Sequence, residues 1–283
     1  MNNNSFQIRT MTRKDLDIAV DWAATEGWNP GLHDAGVFYK TDPNGFFIGF
    51  LGDEPITCIS AVAYNKHFGF LGFYITKPEY RGKGYGIQVW NKAIKYLKTQ
   101  NIGLDGVVAQ QENYKKSGFQ LAYRNIRYQG KSKKNKNQDS NIVMLSKVPF
   151  DELLKYDSDF FPAPRPEFLR RWINLPESAS FGFQQNGKLM GYGVIRRCRA
   201  GYKIGPLFAD DSNIAEILFL ATNNFLEPET TIFLDTPEVN SEAVELAKRH
   251  NMEMCFETAR MYTKEPPKLS LNKIFGVTTF ELG

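Results

Sequence analysis

Residues 81–86 read Arg-Gly-Lys-Gly-Tyr-Gly, with an apolar, β-rich run before them and an amphipathic stretch after. Glycines at alternate positions free several backbone N–H groups to converge at a helix start, where the dipole also favours an anion. Arg81 and Lys83 add positive charge. A pyrophosphate suits such a site; an ordinary flexible turn is the other reading. The run is neither the Gly-x-Gly-x-x-Gly of dinucleotide binders nor the Gly-x-x-x-x-Gly-Lys-Ser/Thr of nucleoside triphosphatases. Groups able to take a proton are scattered through the first third of the chain: Glu26, His33, Asp34 and Glu79. Any one of them serves equally as a solvated cap. Trp28 and Tyr64 are candidates to line a pocket, with core packing as the alternative.

The elements that must position these residues are legible from periodicity. The segment 6–10 alternates as a strand does, and Thr12-x-x-Asp15 has the form of a capping box, opening a helix with Leu16, Ala19, Val20 and Ala23 on one face. Runs at 46–51, 56–64 and 68–76 predict an antiparallel meander. After the glycines, Ile87, Trp90, Ile94 and Leu97 recur at the spacing of a buried helical stripe. Segments 103–109 and 119–128 read as strands around a short helix at 111–117 closed by Gly118. The segment 130–141, with four lysines and no apolar side chain, reads as a solvated loop ending the first unit. No aromatic residue interleaves with those lysines, which disfavours a nucleic-acid arm. From residue 150 the order of elements nearly repeats.

The chain has 283 residues and 42% hydrophobic content, which fits a folded globular protein of two domains at about 150 residues each. A net charge of +4 points to neither nucleic acid nor an anionic membrane as partner. The polar start lacks a following apolar segment, so a cytosolic location is expected. Cys58, Cys198 and Cys255 lie inside apolar runs, as buried thiols do. Three histidines without Cys-x-x-Cys or His-Glu-x-x-His spacing suggest no metal site. Oligomeric state is not legible.

With its preceding Ile75-Thr76-Lys77-Pro78-Glu79-Tyr80, the glycine run resembles the acetyl-CoA signature of the GNAT superfamily of N-acetyltransferases, Gln/Arg-x-x-Gly-x-Gly/Ala, matched by Arg81, Gly84 and Gly86. Downstream, Tyr114-x-x-x-Gly118-Phe119 is similar to that superfamily's Tyr-x-x-x-Gly-Phe. Val107 departs from the asparagine often found seven residues before that tyrosine. Nearly end to end the chain resembles the two-domain group whose second half is an acetyltransferase-like domain of the YitH type. Segments carrying this are 26–34, 161–165, 201–207 and 235–240. The resemblance implies an α+β class of tandem GNAT folds, each a mostly antiparallel central sheet flanked by helices. It assigns 1–146 to a catalytic domain and 147–283 to a GNAT-like domain with a degenerate cofactor site. In that second domain Asp210-Asp211 stand where a pyrophosphate would lie, and Ala247 replaces the tyrosine.

The resemblance further implies direct transfer of an acetyl group from acetyl-CoA to a primary amine of a small molecule, with no metal. Arg81, Gly82, Lys83, Gly84, Tyr85, Gly86 and Ile87 would hold the pyrophosphate. The edge of the strand at Tyr74, Ile75 and Thr76 would bind the pantetheine and supply an oxyanion donor. Tyr114 would protonate the departing thiolate, with Glu26 or Glu79 as base. Trp28 and Asp34 from the first half, with Arg165 and Tyr202 from the second, would wall the acceptor site. Two other readings use the same residues: a non-catalytic acyl-CoA-binding regulatory module, and a nucleotide-binding oxidoreductase with Asp105 as its ribose ligand.

Overall fold

The computed structural model describes residues 5–98, 100–135 and 139–283; part of the lysine-rich segment, 136–138, therefore lies outside the described residues. Strand β1 (Phe6–Thr10) leads into helix α1 (Arg13–Thr25). Thr12 and Asp15 cap each other's backbone there, so two otherwise unpaired N–H groups are satisfied and the helix starts where the spacing predicts. Its face of Leu16, Ala19, Val20 and Ala23 is buried. Helix α2 (Asp34–Thr41) precedes the meander β2 (Phe46–Leu51), β3 (Glu54–Ala63) and β4 (Phe68–Thr76). Helix α3 (Tyr85–Tyr96), β5 (Asn101–Val107), helix α4 (Gln111–Lys116) and β6 (Gln120–Lys131) complete the first half.

The second half repeats this order with β7 (Ile142–Met144), α5 (Phe150–Asp157), α6 (Pro166–Trp172), β8 (Ser178–Gln185), β9 (Lys188–Arg197) and β10 (Tyr202–Ala209). Then come α7 (Ser212–Asn224), β11 (Thr231–Pro237), α8 (Ser241–Arg249) and β12 (Glu253–Tyr262). A further short strand, β13 (Ile274–Gly276), follows.

All these strands belong to one sheet, ordered β1-β2-β3-β4-β5-β12-β6-β11-β10-β9-β8-β7, with β13 beside β10. Only β4–β5 and β10–β11 run parallel, so each half is a mostly antiparallel sheet with flanking helices. Two strands have changed sides. β12 of the second half lies between β5 and β6, antiparallel to both, and β6 of the first half pairs with β11. A cut at 146/147 would therefore separate β6 from both of its neighbours. At the centre of the exchange Asp105 accepts from Arg260 Nε at 2.9 Å and Nη2 at 2.6 Å, and from Asn125 Nδ2 at 2.8 Å. One carboxylate thus ties β5, β12 and β6. Burial raises its pKa, opposed by the charge and hydrogen bonds of Arg260.

The largest apolar cluster also crosses between halves, joining Leu16, Phe38 and Phe73 to Trp172, Tyr192 and Phe208. Phe38 stacks on Trp172 with centroids 6.0 Å apart. Three local readings need correction. In the inner stripe of α3, Trp90 and Leu97 are buried and Ile94 partly so, joined by Val89 and Ala93, whereas Ile87 is 51% exposed because the first turn of the helix borders the groove. Cys255 is exposed, since it falls at the register shift where β12 bulges against β6. The segment 130–141 is not all loop: Gly130 and Lys131 extend β6 along β11, and Ser132 is buried. Among the described residues no helix is long and apolar enough to cross a membrane.

Replacing Asp105 by alanine would leave the Arg260 guanidinium buried and unpaired. Asp105→Ala should therefore cost about 3–5 kcal/mol, read as a lower urea midpoint; an unchanged midpoint would show that this carboxylate does not hold the exchanged strands.

Candidate active site

Strands β4 and β5 pair only from Phe68 to Leu71, opposite Asn101 to Leu104, and then part. At the parting point Phe73 has φ +47°, a left-handed conformation unusual for a side chain of that size, within a register shift between β3 and β4. The bulge is held from both sides: Cys58 Sγ donates to the Phe73 carbonyl at 3.1 Å, and the Phe73 ring packs edge-on against Phe38. Beyond it, Tyr74, Ile75 and Thr76 present an edge that no strand covers among the described residues.

That edge leads to the glycine turn. Gly82 (φ +72°) and Gly84 (φ +81°) adopt the left-handed conformation, with open space where side chains would project. Gly86 lets α3 press against β4, since a Cβ there would come within 2.9 Å of Thr76 Oγ1 and Tyr74 Oη. The first N–H groups of α3 thus open onto the end of the free edge. Arg81 Nε donates to the Thr76 carbonyl at 2.8 Å, and its Nη2 pairs with Glu26. Lys83 lies over the Tyr80 ring.

These parts line one open groove of about 620 Å³, which brings Glu26, Trp28, Tyr74, Ile75, Thr76, Arg81, Gly82, Gly84, Gly86, Ile87 and Tyr114 together with Val107. The groove continues into a narrow cavity of about 40 Å³ between the parted strands. Tyr114, Trp28 and Tyr74 border both. Tyr114 stacks on Trp90 at 5.7 Å and lies over Gly106, where a Cβ would stand 2.2 Å from its ring. Burial, then the neighbouring Tyr74, pushes the Tyr114 phenol up to about 12, so it stays protonated at neutral pH.

Several expected residues are placed elsewhere. Glu79 is exposed and outside the groove lining. His33 faces Glu177 at 3.0 Å on the surface. Asp34 is buried against Arg196, at 3.0 Å from its Nε, because Gly31 lets the turn fold over the carboxylate. Arg165 is buried on Asp157 at 2.8 Å. Tyr202 packs on Phe225 and under Arg197. Asp34, Arg165 and Tyr202 line neither the groove nor the cavity; buried ion pairing and edge packing claim them instead. Asp105 is bound to Arg260, which leaves no ribose ligand for the oxidoreductase reading, and the meander before the glycines is antiparallel.

What sequence reading missed is the inner wall: Phe256 and Thr258 from β12, with Phe280 and Glu281 from the segment after β13. No motif marks them. The second half nevertheless holds the loop that carries Glu26 and Trp28. Asn29 exchanges hydrogen bonds with the Ala200 backbone at 3.0 and 2.8 Å, and Arg127 Nη1 donates to the Trp28 carbonyl at 2.7 Å.

Residues 14–119 match the Acetyltransferase (GNAT) family, and residues 153–276 match an Acetyltransferase (GNAT) domain. A holothin acyltransferase of Pseudoalteromonas sp. (strain SANK 73390) is 30% identical over 270 residues, covering 95% of this chain and 92% of that one. The chain belongs to the GNAT acetyltransferases. This GNAT protein is an acyltransferase enzyme, not merely a binding module, as its end-to-end likeness to a named acyltransferase shows. An uncharacterized N-acetyltransferase, YitH of Bacillus subtilis, is 26% identical over 60% of this chain and 62% of its own. Among solved structures, a putative acetyltransferase from Pyrococcus horikoshii shares the fold across 98% of this chain and 96% of its own, with a TM-score of 0.84 and 22% identity. A tandem GNAT protein from the clavulanic acid pathway covers 93% of this chain and 100% of its own, with a TM-score of 0.63 and 9% identity.

The two GNAT halves differ at their clefts. β10 and β11 also part, after Ile204 and Leu234, but β13 pairs with β10 at Leu207 and Phe208, and Val277 N donates to the Asp235 carbonyl at 2.8 Å. Asp211 caps α7 by accepting from Ile214 N at 2.9 Å, and Asp210 pairs with Lys273. The chain itself fills the second cleft, and its two aspartates are used internally. Calorimetry should therefore count one acyl-CoA per chain, and Gly84→Glu should remove that binding while circular dichroism stays native. A second equivalent, or full affinity in Gly84→Glu, would contradict this placement.

Proposed function

We propose that this acyltransferase moves the acetyl group of acetyl-CoA directly to a primary amine of a small, ring-bearing molecule. One observation carries the reading: the groove that runs along the free β4 edge from the glycine turn ends at Tyr114, where the aromatic cavity begins. The residues fit the co-substrate. The turn offers backbone N–H groups and cations to the pyrophosphate, and the uncovered edge at Tyr74 to Thr76 offers a strand's hydrogen bonds to the pantetheine. Edge N–H groups beside the bulge would stabilise charge that develops on the thioester oxygen.

Tyr114 is the acid for the departing sulfur. Its raised pKa keeps the proton available, and a thiolate forming in the same apolar surroundings is correspondingly eager to accept it. Glu26 serves the cofactor turn through Arg81, which leaves it holding the groove rather than meeting the amine. The walls of Trp28, Phe256 and Phe280 suit a flat apolar acceptor, and the name of the Pseudoalteromonas relative gives holothin as the compound it acylates.

The test is thiol release from acetyl-CoA with holothin first and a panel of aryl and alkyl primary amines next. With the best acceptor, Tyr114→Phe should lower kcat about 10²-fold or more at little change in acetyl-CoA affinity. Undiminished kcat in that variant would reduce Tyr114 to a packing residue, and thiol release with no member of the panel would defeat the reading.

A further inference from the structure

We infer that Glu281 receives the acceptor's ammonium group and takes its first proton, an assignment that rests on the acyl transfer proposed above. After β13 fills the second cleft, the chain runs on across the first and brings Glu281 to the wall of the cavity that Tyr114 also borders. Gly72 makes the approach possible: a Cβ there would stand 2.0 Å from the Glu281 carbonyl oxygen, just where β4 and β5 part. The residue is 3% exposed. Among the described residues its carboxylate accepts one side-chain hydrogen bond, from the Thr279 hydroxyl, and no cation lies within ion-pair distance.

Three cations face it from other strands, and none lies within ion-pair distance of its carboxylate, although Arg196 keeps a buried Nη1 without a partner. Arg127 on β6 is paired with Asp235 on β11, and Arg196 on β9 with Asp34 on α2. Lys203 on β10 donates to the Asn29 carbonyl at 3.0 Å, beside the buried thiol of Cys198. Asp105, the other carboxylate on the cavity wall, is held by Arg260. A buried carboxylate without its own cation is costly, and a proton or a ligand's cation relieves the cost. The cavity, of about 40 Å³, admits a group of ammonium size, so an amine whose apolar ring stays at the mouth beside Trp28 would place its ammonium at Glu281.

The proton count closes. The ammonium gives one proton to Glu281, and the freed lone pair forms the C–N bond as the C–S bond breaks. Tyr114 gives its proton to the sulfur and is restored by the second proton that the nitrogen sheds. CoA leaves as the thiol, and Glu281 returns its proton to water.

Two measurements test this, with acetyl-CoA binding recorded alongside. In the unaltered protein saturated with CoA, 2-phenylethylamine should bind at least about 10-fold tighter at pH 7 than 2-phenylethanol, which has the ring without the cation. Equal affinity, or no binding of either, overturns the assignment. In Glu281→Gln, kcat/KM for acetylation of 2-phenylethylamine should fall about 10²-fold at pH 7, and the deficit should shrink as pH rises and the amine loses its proton unaided. A deficit equal at every pH, or none, overturns it too. The binding comparison needs neither turnover nor a variant, so it decides alone if Glu281→Gln does not fold or the probe is not acetylated. A protein that binds no acetyl-CoA defeats the acyl-transfer reading itself; one that binds it and gives an overturning result defeats only the role of Glu281.

Discussion

The insertion of β12 between β5 and β6 is the constraint on which the rest of the molecule depends. Every strand has two edges of N–H and C=O groups to satisfy. Because β12 covers one edge of β5 for five residues, β5 can leave β4 after Leu104 without losing its place in the sheet. The gap so created is the groove. The same logic operates in the second half, where β6 covers β11 and lets it leave β10 after three paired residues. There the chain supplies its own strand, β13, to the opening. Two equal splits thus have opposite fates, one closed by the chain and one left open.

Exchange also makes the second half part of the groove and cavity of the first. The wall facing Tyr114 comes from β12 and from the segment after β13, whereas the glycine turn and Tyr114 come from the first half. The loop with Glu26 and Trp28 is bound to the β9–β10 turn through Asn29 and Ala200. Arg127 completes the link, since its guanidinium bonds Asp235 and the Trp28 carbonyl while lying over Phe256 and Phe280. Buried ion pairs of this kind add less stability than their Coulomb energy suggests, but they admit few alternative arrangements. At this junction they set where an aromatic wall can stand.

Burial does chemical work as well as structural work. The apolar stack of Trp90, Tyr114 and Tyr74 keeps the phenol protonated. The same dryness strengthens any hydrogen bond from the β4 edge to a developing oxyanion. Gly72 and Gly106 are the counterparts of this packing, each bare because another part of the chain occupies the space of a side chain.

Local chemistry alone determined a good deal. The capping box at Thr12, the β3–β4 meander, the left-handed glycines 82 and 84 and the tyrosine before Gly118 all rest on signals a few residues long, and each lies where those signals put it. The half of the groove around the glycine turn was equally legible, since its parts run consecutively from Tyr74 to Ile87 with Tyr114 close behind. The inner wall of the cavity was not legible. Asp34, Arg165 and Tyr202 have the side chains for it but are buried in ion pairs or packed at an edge, while Phe256, Phe280 and Glu281 carry no motif and arrive from more than 140 residues beyond Tyr114. Periodicity reports which face of an element is apolar, not which strand will lie beside it. Strand order across the exchange is decided by edge pairing and by the side chains that meet at Asp105, Arg260 and Asn125, and those contacts exist only once both halves are folded together.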